Sequence, residues 1–306
     1  MNATLYTHAS CLRHSAGPGH PESPARLQSV LAALDDPGFA ALARAEAPRA
    51  TRDQLARVHE AALIDDIFAN APEQGFVRFD ADTVMSPDSL EAALCAAGAV
   101  CAAVDAAIDG SATRAFCAVR PPGHHATRNA AMGFCLFNNV AVGAAHALAR
   151  GIERVAIVDF DVHHGNGTQD IFWSEPRVLY ASTHQSPLYP GTGTRAETGV
   201  GNIVNAPLPP RSGSAEFRMA FEQVVLPALR TFKPQLVIIS AGFDAHRLDP
   251  LADLNLDAED YAWATRELVD IATKYASGRV VSSLEGGYSL TALRESTAAH
   301  VGALMI

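Results

Sequence analysis

Five short runs along the chain, at 116–119, 154–160, 177–181, 236–240 and 279–284, carry their apolar residues consecutively. Consecutive rather than alternating burial is the pattern of strands covered on both faces, so these runs predict a central parallel sheet. Stretches between and beyond them predict helices at 88–108, 138–150, 214–230, 257–275 and 289–304. A further helix is predicted at 25–34 with Pro24 at its start, and Ser86-Pro87 is a start signal before the helix at 88. Strand and helix alternate, which predicts an open α/β sheet with right-handed crossovers. No repeat, charge block or low-complexity linker divides the sequence, so residues 1–306 read as one domain.

Ligands of open α/β sheets bind beyond the carboxyl ends of the strands, and four of the five runs end in residues that carry chemistry. The run after Arg154 leads into Asp159-Phe160-Asp161-Val162-His163-His164-Gly165-Asn166. Side chains alternate along an extended chain, so Asp159, Asp161 and His163 are expected on one side of the strand end. Two carboxylates so close repel unless a cation lies between them. The run at 236–240 leads into Ala241-Gly242-Phe243-Asp244, which adds a further acid. Joined to the first cluster, Asp244 supplies a third ligand, giving a His-Asp-Asp set that leaves positions open for water and a substrate carbonyl, as catalytic zinc requires. Hard oxygens with one imidazole also suit iron, cobalt or manganese.

The run at 116–119 leads into Arg120-Pro121-Pro122-Gly123-His124-His125, a rigid turn and two adjacent histidines that read as a metal pair or as a general acid/base pair. After the last run comes Leu284-Glu285-Gly286-Gly287-Tyr288, where two glycines let the backbone approach a ligand and aim the tyrosine inward. A phenol there suits donation to a developing oxyanion.

Composition narrows the choice. The five cysteines, Cys11, Cys95, Cys101, Cys117 and Cys135, include no CxxC pair, so a metal must be held by histidine and carboxylates. A net charge of −10 disfavours nucleic acid and suits a cationic substrate. The first residues lack a basic segment followed by an apolar one, and the longest apolar run, 92–104, is short of the ~20 residues of a membrane span. The expectation is a soluble, cytoplasmic protein with no membrane partner.

Taken together and in order, RPPGHHA, DFDVHHGNGT, SAGFDAH and LEGGY resemble the signatures of the histone deacetylase family, nearer its class II and bacterial members than class I. GHPESPARL, DADTVMSP, GFCLFNN and YPGTG add to the resemblance, which extends over nearly the whole chain. It implies the arginase-deacetylase fold, a parallel sheet of about eight strands between helices, and a zinc-dependent amidohydrolase acting on acetyl-lysine or other acylated amines. It also implies that Asp161, His163 and Asp244 hold the zinc, that His124 and His125 are the tandem histidine pair and that Tyr288 polarises the carbonyl. By the same resemblance Asp159 orients the first histidine. Asn166 stands where class I members carry a second acid, which implies a less basic His125.

Phe134 and Tyr189 match the aromatic walls of an acyl-lysine tunnel, with Gly133 and Gly286 along it. Potassium near the zinc is implied, through backbone oxygens around Asp159, Asp161, His163 and Ser182 and through the Asp161 carboxylate. The short 11–22 loop lacks the insertion that occludes the tunnel in dimeric polyamine-processing members, which favours an extended substrate. A bare catalytic domain rich in alanine implies a bacterial enzyme whose substrates are not histones. Three readings remain: an acyl-lysine deacylase, an amidohydrolase of acetylpolyamines or similar small amides, and a non-catalytic binding protein. A full set of catalytic positions weighs against the third, and oligomeric state is left open.

Overall fold

The computed structural model describes residues 3–306. Eight strands form one sheet: β1 Ala3–Thr7, β2 Ala43–Glu46, β3 Arg114–Cys117, β4 Val155–Asp159, β5 Val178–Gln185, β6 Ile203–Leu208, β7 Leu236–Ala241 and β8 Val280–Leu284. Their order is β2-β1-β3-β8-β7-β4-β5-β6, and every neighbouring pair is parallel. A separate antiparallel ribbon pairs Val77–Arg78 with Val84–Met85.

Every residue of β3, β4, β7 and β8 is buried, which is why their sequences read as continuous apolar runs. Helices flank the sheet. Ser89–Asp109 packs on Asn139–Ala149, and Leu290–Leu304 packs between Ala258–Tyr275 and Pro24–Leu34. By length and composition Ser89–Asp109 is long and apolar enough to cross a membrane, yet most of its residues are buried within this fold, as in a core helix.

All five predicted strands form, with shifted ends. β3 begins at Arg114, a buried charge whose Nη1 donates to Leu304 O at 2.9 Å. β5 continues past 181 through Ser182, Thr183, His184 and Gln185, which are polar but buried. The three strands outside the prediction lie toward the ends of the sheet. β2, Ala-Arg-Ala-Glu, is an exposed edge with no strand-like pattern, and β1 beside it is short. β6 carries Pro207, which cannot donate to a ladder and is tolerated at the opposite edge. The helix expected at 214–230 is interrupted by a π-turn at Phe221–Val225 and ends at Phe232.

The central four strands, β3, β8, β7 and β4, are consecutive neighbours. Their carboxyl ends therefore open on one region, and each feeds one of the segments singled out in the sequence.

Candidate active site

β4 ends at Asp159, and the chain then turns. The Asp161 amide donates to Asp159 Oδ1 (3.1 Å) and the His163 amide to Asp161 Oδ1 (2.9 Å). Strand alternation is thus not what arranges Asp159, Asp161 and His163, and the three do not share one point. Asp159 turns toward His124, while Asp161 and His163 meet Asp244 from the end of β7. His163 Nδ1 lies 3.1 Å from Asp161 Oδ1 and 3.2 Å from Asp244 Oδ2. One ligating atom from each of these three residues lies within 4.8 Å of the others.

Backbone N–H groups orient the two carboxylates: Gly286 N donates to Asp161 Oδ2 and Val162 N to Asp244 Oδ1, each at 2.8 Å. Only glycine permits this approach, since a Cβ on Gly242 would lie 2.0 Å from Asp161 Oδ2 and one on Gly286 2.1 Å from Asp244 Oδ2. Burial and the charge of Asp161 push the Asp244 carboxyl up to about 7. Burial opposes charge on His163, but bonds to Asp161 and Asp244 outweigh it and raise its pKa to about 10. Two buried acids and an imidazole thus compete for one positive charge, which is the donor chemistry of a divalent-cation site. A second group with ligand spacing, His8, Glu91 and Cys95, is otherwise engaged: Arg49 takes both Glu91 oxygens, at 2.8 and 2.6 Å.

Beyond β3 the turn at 120–123 delivers the two histidines, whose ring centroids are 4.1 Å apart. His124 Nδ1 lies 2.9 Å from Asp159 Oδ2, and its Nε2 is 3.8 Å from Asp161 Oδ1. His125 Nδ1 lies 2.7 Å from Asn166 Oδ1, while the Asn166 amide nitrogen faces Met132 Sδ at 3.4 Å. An amide oxygen only accepts, so the His125 proton sits on Nδ1 and Nε2 is free. Burial penalises charge on either ring. On His124, Asp161 and Asp159 outweigh it and lift the pKa well above the usual range. On His125 burial prevails, reinforced by the neighbouring His124 and His163, and the pKa falls well below it. The surroundings thus favour the charged form of His124 and the free base of His125.

His124, His125, His163, Gly286 and Tyr288 line one cavity of about 240 Å³ with Gly133, Phe134 and Tyr189. A wider groove of about 590 Å³ between Pro24–Leu34 and Leu290–Leu304 contains none of these groups. Burial drives the Tyr288 phenol well above its usual pKa, so it remains a donor, and its hydroxyl has no hydrogen-bond partner among the described residues. The Tyr189 ring stands edge-on to His125 at 5.0 Å, and that of Phe134 edge-on to Tyr288 at 6.0 Å. Phe134 adopts a left-handed φ of 69°, rare for an aromatic residue, and its N–H donates to Thr83 Oγ1 at 3.1 Å. Ser182 pairs with Asp159 across β4 and β5, and its Oγ meets His184 Nδ1 at 2.9 Å.

Several residues at the site had no role in the sequence reading. Arg26 donates to Gly287 O (2.6 Å) and Glu285 O (2.5 Å), and its guanidinium lies 4.8 Å over the Tyr288 ring. Glu22 receives Arg26 at 3.0 Å and also Arg120 through both oxygens, in a fully buried ion cluster. Asp249 Oδ2 accepts the Tyr288 and Ser289 amides at 2.7 and 3.2 Å. Leu188, Leu251 and Asp82 join the cavity wall. Glu22 and Arg26 fall inside GHPESPARL, where the motif was a usable signal, whereas nothing local marks Asp249 or the leucines.

The Histone deacetylase domain matches residues 20–304 of this chain. A Pseudomonas aeruginosa histone deacetylase-like amidohydrolase is 40% identical over 303 residues, covering 91% of this chain and 80% of that one. A probable deacetylase of Archaeoglobus fulgidus is 39% identical over 297 residues, covering 95% of this chain and 82% of the relative. Among solved structures, the HD domain of HDA15 superposes with a TM-score of 0.95 at 37% identity, over 99% of this chain and 88% of that one. With the fold, the ordered motifs and these matches in agreement, the chain belongs to the histone deacetylase family.

Proposed function

We propose that this chain is a zinc-dependent deacylase that hydrolyses the amide of acetyl-lysine, or a similar acylated amine, to a carboxylate and a free amine. The observation that carries the reading is one cavity lined by His163 of a His-Asp-Asp ligand set, by His125, whose surroundings favour the free base, and by Tyr288. Relatives named deacetylase and amidohydrolase support the reaction class.

Asp161, His163 and Asp244 would hold the zinc, and their competition for a single positive charge fits that ion. When bound, zinc supplies Lewis-acid polarisation of a carbonyl and acidifies water. The remaining work belongs to the chain. Tyr288 donates its phenolic proton in a hydrogen bond to the amide oxygen as negative charge develops there. His125 Nε2 takes a proton from the attacking water, whose oxygen bonds to the acyl carbon. The C–N bond then breaks, and the proton on His125, or the one His124 holds, passes to the departing amine. Asp159 keeps His124 oriented, and Asn166 keeps the His125 proton on the far nitrogen.

Phe134, Tyr189, Leu188 and Leu251 give the approach an apolar wall suited to a methylene chain, which favours acyl-lysine. Acetylpolyamines are the second reading, supported by the charge of −10 and by Asp82 in the cavity wall. Potassium held by backbone oxygens around Asp159, Asp161, His163 and Ser182, and by the Asp161 carboxylate, belongs to the same proposal. The pairing of Asp159 with Ser182 supports it.

The test is a panel of acetyl-lysine peptides, longer acyl-lysines, acetylputrescine and acetylspermidine, offered to protein of measured zinc content with amine release followed. The expected result is turnover with acetyl-lysine peptides ahead of the polyamines. No release from any of them by the zinc-loaded chain would overturn the reading.

A further inference from the structure

We infer that Glu285 is a positioning residue for the tandem histidines, its carboxylate fixing the backbone turn from which His124 and His125 enter the cavity. Glu285 is fully buried just beyond β8. Its Oε2 accepts the Gly123 amide at 2.6 Å and the His124 amide at 3.1 Å, and its Oε1 accepts Ser240 Oγ of β7 at 3.1 Å. One side chain therefore ties the turn after β3 to β7 and β8.

Two successive buried N–H groups need an acceptor on that side, and among the described residues Glu285 is the one that serves both. The following peptide, which joins the two histidines, is also fixed. His124 O accepts the amides of Gly167 (3.1 Å) and Thr168 (3.2 Å), in the helix Asn166–Phe172 whose first residue holds His125 Nδ1. The turn has no slack elsewhere, since a Cβ on Gly123 would lie 2.4 Å from Asn139 N and one on Gly133 2.6 Å from the His125 ring. A shift of the turn thus moves both imidazoles relative to Asp159 and Asn166. Glu285 is absent from the cavity lining, so it acts through the histidines and not on a substrate.

Burial pushes the Glu285 carboxyl up to about 7, against the opposing pull of His124 and the Gly123 amide. In either protonation state Oε2 goes on accepting from the turn, because Ser240 Oγ serves Oε1 as donor or as acceptor. Geometry, not charge, is then what the side chain supplies, and glutamine should reproduce it with its amide nitrogen toward Ser240.

The inference rests on the hydrolase reading for its kinetic test, and a spectroscopic test stands apart from that reading. On the zinc-loaded chain with an acetyl-lysine peptide, Glu285→Met keeps the volume, removes the acceptor and should lower kcat about 10²-fold with KM changed by less than about threefold. Glu285→Gln should stay within about threefold of the parent kcat. The ¹⁵N imidazole resonances of His124 and His125 should move in the Met variant and hold in the Gln variant. A Met variant that keeps the parent kcat and resonances, or a Gln variant as impaired as Met, overturns the inference. If the parent hydrolyses nothing, the hydrolase reading fails and the resonances alone decide this one. Should Met prevent folding, Glu285→Asp withdraws the acceptor by one methylene: loss of kcat at constant KM supports the role and full retention overturns it.

Discussion

Asp159, Asp161 and Asp244, bonded to the lining histidines His124 and His163, form a floor behind the cavity, and each holds backbone or ring N–H groups at or just beyond the ends of β4 and β7. At its mouth the side chains stand on loops: Phe134 at a left-handed φ of 69°, Tyr189 with 43% of its surface exposed, and Leu188 and Leu251 beside them. The floor is fixed by hydrogen bonds from several elements at once, which aligns dipoles and charges before a substrate arrives. The mouth offers apolar contact without direction. Floor substitutions should therefore affect the chemical step and mouth substitutions binding.

The largest effect should come from Tyr288→Phe, which removes one oxygen from the floor and little packing. kcat on an acetyl-lysine peptide should fall about 10²-fold or more with KM nearly constant, as for an interaction made in the transition state. Steady-state kinetics in which the variant keeps more than about half the parent kcat would remove Tyr288 from the mechanism.

Phe134→Ala should act in the opposite way. Loss of an apolar wall should raise KM for linear acyl-amines about tenfold while kcat stays within about threefold. Inhibition by free acetate, too short to reach that wall, should hardly change. Equal weakening of peptide and acetate would mean the mouth and floor are not separate.

The smallest change in rate should follow Asn166→Asp, which sharpens the comparison within the floor. Burial first, then the neighbouring His124 and His163, keeps the His125 pKa well below the usual range, so the base form prevails at neutral pH. Activity is lost as pH falls through that pKa. A carboxylate opposite Nδ1 favours the charged ring and raises the pKa, so the acidic limb of the kcat/KM profile should move to higher pH. Above the limb, kcat should stay within about threefold of the parent. An unmoved limb would show that His125 is not the titrating base.

Much of the floor was legible in the sequence because its residues directly follow buried apolar runs. The geometry was not, since alternation along a strand predicts one face for Asp159, Asp161 and His163, whereas the chain turns at Asp159 through bonds to its own carboxylates. Edge strands escaped because they lack a buried face or carry proline, as β2 and β6 do. Support from a distance was equally hidden: Arg26 reaches Gly287 across 261 positions, and Asp249 reaches Tyr288 across 39. No local pattern records such pairs. The mouth was legible only through family resemblance, because isolated leucines, and an aromatic residue in a glycine-rich loop, read the same whether they pack or bind.

The Asp161, His163 and Asp244 set should hold a catalytic zinc and not a structural one. The most direct test follows amide hydrolysis and far-UV circular dichroism together as zinc is chelated and then returned, with metal content measured by elemental analysis. The ligands hang on the ends of strands whose core is already buried, so the account predicts that activity disappears, the dichroism is unchanged, and turnover returns in proportion to one zinc per chain. Full turnover by a chain proven free of metal would contradict it, and simultaneous loss of activity and of the far-UV signal would make the site structural.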